Sequence, residues 1–82
     1  MYKGYISYYS EDATFDELEG LQEFHIRNLH PEHDGDIDRV SFRKDGNCIR
    51  FESDDLAALK YVMEFASENE DMVRCKALED KV

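Results

Sequence analysis

Val40-Ser41-Phe42-Arg43-Lys44-Asp45-Gly46-Asn47-Cys48-Ile49-Arg50-Phe51 alternates apolar and polar side chains on both sides of Asp45-Gly46. Period-two alternation is the mark of a strand with one buried face. An Asp-Gly pair between two such runs is a strong short-range hairpin signal. The stretch therefore reads as two antiparallel strands, with Val40, Phe42, Ile49 and Phe51 inward and Arg39, Ser41, Arg43, Cys48, Arg50 and Glu52 outward.

Upstream, Lys3 to Tyr9 is rich in aromatic residues and reads as a strand. Thr14-Phe15-Asp16-Glu17 has the spacing of a capping box and predicts a helix from Thr14 to about Leu29, stopped by Pro31. His30 to Asp36 reads as a polar loop. Downstream, Ser53-Asp54-Asp55 supplies an N-cap for a second helix from Leu56 to about Glu68. Met72 to Leu78 alternates again, with Val73, Cys75 and Ala77 expected inward.

The order is strand, helix, strand, strand, helix, strand. Two right-handed split βαβ units with this order interleave into one four-stranded antiparallel sheet, both helices on one face. The expectation is an α+β, ferredoxin-like βαββαβ domain over residues 1–82. At 100° per residue, Phe15, Leu18, Ile26 and Leu29 share the inner stripe of the first helix with Gln22 and His25, while Leu56, Leu59, Val62, Met63 and Ala66 form that of the second. Phe24 and Phe65 fall at equivalent angles, as residues closing a seam between the helices would.

The chain has 82 residues, with twenty Asp and Glu against ten Lys and Arg, a net charge of −10. Its apolar share of 41% is too high for a disordered acidic tail. No apolar run approaches the roughly 20 residues a bilayer crossing needs, and no basic-then-apolar leader follows Met1. Two cysteines are too few for a disulfide framework or a zinc site of their own, and the alternation puts Cys48 and Cys75 on opposite sheet faces. These features fit a reducing, cytoplasmic setting.

The charge is unevenly spread. Residues 11–38 hold ten acids and one base. Six cations, Lys3, Arg39, Arg43, Arg50, Arg74 and Lys76, are expected on the open sheet face with Tyr5 and Tyr9. The molecule would thus have an acidic helical side and a basic sheet side.

Three functional readings follow. In the first, Asp16, Glu17, Glu19, Glu23, Asp34, Asp36 and Asp38 form an acidic surface that binds and blocks a basic, nucleic-acid-handling protein. DNA carries about one charge per 1.7 Å of axis, and closely spaced carboxylates can compete with it for a basic groove. Small phage-type inhibitors of restriction or CRISPR systems work in this manner; the parallel is one of size and charge alone. In the second, Tyr5, Tyr9, Arg39, Arg43 and Arg50 bind RNA on the open sheet, although strand three lacks the aromatic-glycine pattern of RNA-recognition domains and the net charge disfavours a nucleic acid. In the third, His30 and His33 with Asp34, Asp36 and Asp38 sense a metal or small ligand.

Solvation alone accounts for much of an acidic loop or a wet sheet face. No Gly-rich phosphate loop, nucleophile elbow or cysteine–histidine neighbourhood is present in the sequence, so a non-enzyme without cofactor or resident metal is expected. The open sheet face could also support a homodimer.

Overall fold

The computed structural model describes residues 1–22 and 34–79. Strand β1 (Tyr2–Tyr8) leads into helix α1 (Glu11–Gln22), and a short helix α2 (Asp34–Asp38) precedes the hairpin of β2 (Ser41–Asp45) and β3 (Cys48–Ser53). Helix α3 (Leu56–Ala66) and strand β4 (Val73–Glu79) complete the chain order. The strands form one antiparallel sheet in the order β2-β3-β1-β4. The fold is α+β, with three helices among the described residues rather than the two expected.

The hairpin closes through Gly46 and Asn47, with Asp45 opposite Cys48. Gly46 has a φ of 64°, a left-handed conformation that costs glycine little and most residues more. The core-facing residues Ile6, Tyr8, Ile49 and Phe51 are fully buried beneath Leu59 and Val62 of α3. Ser53 ties the hairpin to α3. Its hydroxyl donates to the Arg39 carbonyl at 2.7 Å and accepts the Asp55 N–H at 3.0 Å. Asp55 then caps α3 by accepting the Ala58 N–H at 3.2 Å.

Helix α1 starts one turn earlier than the Thr14 capping box implied. Ser10 is the cap: its hydroxyl accepts the Ala13 N–H at 3.1 Å. Thr14 is fully buried instead, its hydroxyl donating to the Ser10 carbonyl at 3.1 Å. The inner face is Ala13, Thr14 and Leu21, flanked by a partly buried Leu18. Phe15, expected inward, is 55% exposed. The shift from Phe15 to Thr14 is one residue, or about 100° of helix rotation. The expectations for Glu23, Phe24, His25, Ile26, Leu29, His30, Pro31 and His33 lie outside the described residues.

Strand β4 reverses the expected parity. Ser7 pairs with Cys75 but Tyr8 pairs with Val73, so β4 carries an extra residue, Arg74, at this point. A bulge of one residue flips every side chain beyond it to the other face. Val73 stays on the core side opposite Tyr8, whereas Cys75 and Ala77 turn to the open face. Lys76 and Leu78, expected outside, lie on the helical side opposite Ile6 and Gly4. Leu78 packs on the core, and the Lys76 ammonium donates to the Ser67 hydroxyl at 3.2 Å.

Candidate interaction surfaces

On α1, Asp12, Asp16 and Glu19 are exposed and spaced i, i+4, i+7. That spacing puts them on one outer stripe, with Phe15 alongside at i+3 from Asp12 and i−4 from Glu19. Glu11 stands apart from the stripe, because Lys44 holds it at 2.9 Å. The Lys44 hydrogen bond and charge lower the Glu11 carboxyl below its usual range. Lys44 lies opposite Ile49, on the helical side of edge strand β2, and its ammonium also sits 5.9 Å from the Phe15 ring centre.

The other acidic residues expected to bind a partner fall in different places. Glu17 is only partly exposed and borders a depression between α1 and α3 with Gly20, Leu21 and Phe65. Its charge, after burial, is the next cause of the raised Tyr8 hydroxyl pKa. Asp34, Asp36 and Asp38 lie in α2, where a loop was expected. In a helix, residues two apart point about 200° from each other, so the Asp36 and Asp38 carboxylates do not converge as they would in an extended loop. Asp36 faces Arg39 at 4.0 Å, and Arg39 reaches the Asp55 cap at 3.2 Å. Among the described residues no group of three or more His, Cys, Asp or Glu is arranged to hold a metal ion.

The open sheet face can be read from the strand register as three rows running from β2 across β3 and β1 to β4. The first row is Ser41, Glu52, Lys3 and Glu79. The middle row is Arg43, Arg50, Tyr5 and Ala77. The last is Asp45, Cys48, Ser7 and Cys75. Lys3, Arg43 and Arg50 are thus matched by Glu52, Glu79 and Asp45, and the face is neutral rather than basic. Arg39 belongs to the helical side through its ion pairs, Lys76 through the β4 bulge, and Arg74 sits at the bulge itself. Tyr9, 67% exposed, lies one residue beyond β1, where its N–H donates to the Met72 carbonyl at 3.0 Å.

The polarity of the molecule therefore survives in altered form. Of the described carboxylates only Asp45, Glu52 and Glu79 lie on the sheet face, and the excess negative charge is on the helices and loops. Two residues escaped the sequence reading. The 100° spacing groups Phe15 with Leu18, Ile26 and Leu29 and so points it inward, whereas the helix begins earlier and turns it out. Lys44 was legible, because it continues the inward parity of Val40 and Phe42.

The Cys48 thiol is not set up as a nucleophile. Burial is the largest effect on Cys48 and raises its pKa, the opposite of activation. Cys75 Sγ lies 4.0 Å from the Tyr5 hydroxyl, and this contact raises the Tyr5 pKa. No helix among the described residues is long and apolar enough to cross a membrane. No family model, curated protein or solved structure matches the chain.

Proposed function

We propose that this is a non-enzymatic interaction protein whose acidic helical side binds and blocks a basic, nucleic-acid-handling protein in the reducing cytoplasm. The observation that carries the reading is the outer stripe of α1, where Asp12, Asp16 and Glu19 run along one side of an exposed Phe15 and Lys44 stands over its ring. Seven residues of helix rise about 10 Å, so these carboxylates recur about every 5 Å along the axis. One DNA strand presents a phosphate about every 3.4 Å, so the two charge densities differ by less than twofold.

An exposed aromatic side chain beside a row of charges can serve as an apolar anchor for a partner. Burying the exposed half of a Phe ring would remove on the order of 100 Å² from water and contribute about 2 kcal/mol. The carboxylates would set the on-rate and the salt dependence. The element succession and the strand order β2-β3-β1-β4 support a ferredoxin-like plan for the scaffold. Exposed Asp38 adds negative charge on α2, where Asp36 faces Arg39, and Glu17 borders the depression between α1 and α3.

The test is affinity capture from the native host, with and without nuclease, using the wild-type chain, Asp16→Lys/Glu19→Lys and Phe15→Ala. The expected result is one basic protein that survives nuclease, is lost with the charge-reversed variant and is retained less well by Phe15→Ala. Unchanged capture by the charge-reversed variant at physiological ionic strength, about 0.15 M, overturns the reading.

A further inference from the structure

The centre of the open sheet face holds an arrangement that the acidic surface does not use. Arg43 and Arg50 are direct cross-strand partners, their Cα atoms in register on β2 and β3. Like charges placed directly opposite destabilise a sheet pair. Asp45 offsets part of this: it accepts one hydrogen bond from Arg50 Nε at 2.8 Å, and its charge also interacts with Arg43. A guanidinium has five N–H donors, so Arg50 keeps four. Arg43 is exposed and makes no ion pair among the described residues. A depression of about 260 Å³ lies here, lined by Ser41, Phe42, Arg43, Arg50 and Glu52. Tyr5 follows Arg50 in the same row, one strand further on.

We propose that this depression binds a phosphomonoester, with Arg43 and Arg50 forking the phosphate oxygens, Ser41 donating its hydroxyl, and the Tyr5 ring offering a flat face to an attached base. The chemistry follows from the donors: paired guanidiniums match a planar set of anionic oxygens in bidentate fashion, and the anion removes the repulsion between them. A single phosphate fits the electrostatics where a polynucleotide does not. Glu52 forms one wall of the depression and Asp45 lies in the row beyond the arginines, so the anion seats on the arginine side between the two carboxylates, and a longer strand would have to cross them. The α1 carboxylates lie beyond a helix about 10 Å across, further than the Debye length of about 8 Å at physiological salt. They therefore act weakly on an ion bound to the sheet. Asp45 is a positioning residue here and does not touch the ligand.

The experiment is an NMR titration of the full chain with two probes, sodium phosphate and AMP. Saturable shifts at Ser41, Arg43 and Arg50 with both probes are expected. Arg43→Ala should weaken binding about tenfold, Arg43→Lys should weaken it less by keeping charge without the fork, and Lys60→Ala, an exposed cation on helix α3, should bind as the wild type does. Tighter binding of AMP, with shifts of the Tyr5 ring, supports a nucleotide as the occupant; equal binding of the two probes supports phosphate alone. Absence of saturable shifts up to about 10 mM of either probe at low salt overturns the proposal. So does Arg43→Ala binding unchanged while its spectrum remains that of the folded chain.

Discussion

The Tyr8 hydroxyl donates to the Ala66 carbonyl at 2.6 Å, joining the last residue of β1 to the last residue of α3. Both residues are buried. The bond satisfies a carbonyl at the helix C-terminus, where the last four carbonyls have no intrahelical N–H to accept from. Burial is also the main reason the Tyr8 pKa is raised well above the ordinary phenol range. Tyr8→Phe keeps the ring but leaves the Ala66 carbonyl without this donor. A loss of about 1–3 kcal/mol in unfolding free energy is expected by urea titration, with an unchanged m-value.

Gly4 is required by what lies over it. A Cβ at this position would stand 2.5 Å from Met63 Sδ and 3.0 Å from the Ala77 carbonyl oxygen. The thioether end can swing aside, whereas the backbone of β4 cannot move without disturbing its pairing with β1. Gly4→Ala should therefore destabilise by about 1–3 kcal/mol, the range for overpacking a core. Combining it with Met63→Ala should cost less than the sum of the two single changes, because the truncated side chain no longer occupies the new methyl's space. Thermal melts of the four proteins in that cycle provide the measurement.

Cys48 and Cys75 flank Ser7 from its two neighbouring strands, on the same face. Two strand spacings separate their Cα atoms by about 9–10 Å, beyond the roughly 7 Å limit for a disulfide. Mild oxidation should leave the monomer without an internal bridge, checked by intact mass under non-reducing conditions. Cys75 is exposed and Cys48 half-buried with a raised pKa. Iodoacetamide at neutral pH should accordingly modify Cys75 first.

The hairpin was legible because each signal in it is local. Gly46 turns the chain, and the alternation from Val40 to Phe51 assigns the faces without reference to any other element. Strand β4 was not legible for the complementary reason. Its parity depends on the bulge at Arg74, and Val73, Cys75 and Ala77 are small or apolar enough to suit either face. That one insertion moved Lys76 to the helical side and replaced it with uncharged Cys75 and Ala77, which removed much of the expected basic surface. In α1 the error was one of phase. Ser10 followed by Glu11 and Asp12 is itself a start signal, a serine before an acidic first turn, but the Thr14-to-Glu17 spacing competes with it one turn later. Of the acidic residues expected on the outer face of α1, Asp16 and Glu19 are exposed as their helical period implies. Arg39 was misplaced because its charge pairs with Asp55, a contact that joins residues sixteen apart in sequence.

Two ion pairs fix the sign of a pH dependence. Lys44 lowers the Glu11 pKa and Arg50 lowers that of Asp45, in each case through a hydrogen bond first and charge second. A carboxyl whose pKa is lower folded than unfolded releases its proton more readily in the native state. Its contribution is therefore fully present above the unfolded value, about 4, and is lost as pH falls through the lower folded value. Both groups are solvent-exposed, so salt should shrink the shifts. Carbon-detected NMR titration of the side-chain carboxyls should find Glu11 and Asp45 titrating below their ordinary ranges at low salt. Lys44→Met should return Glu11 to its ordinary range without moving Asp45, and Arg50→Met should do the reverse. Titration of Glu11 in its ordinary range in the wild-type chain would mean that Lys44 does not bridge β2 to α1 in solution.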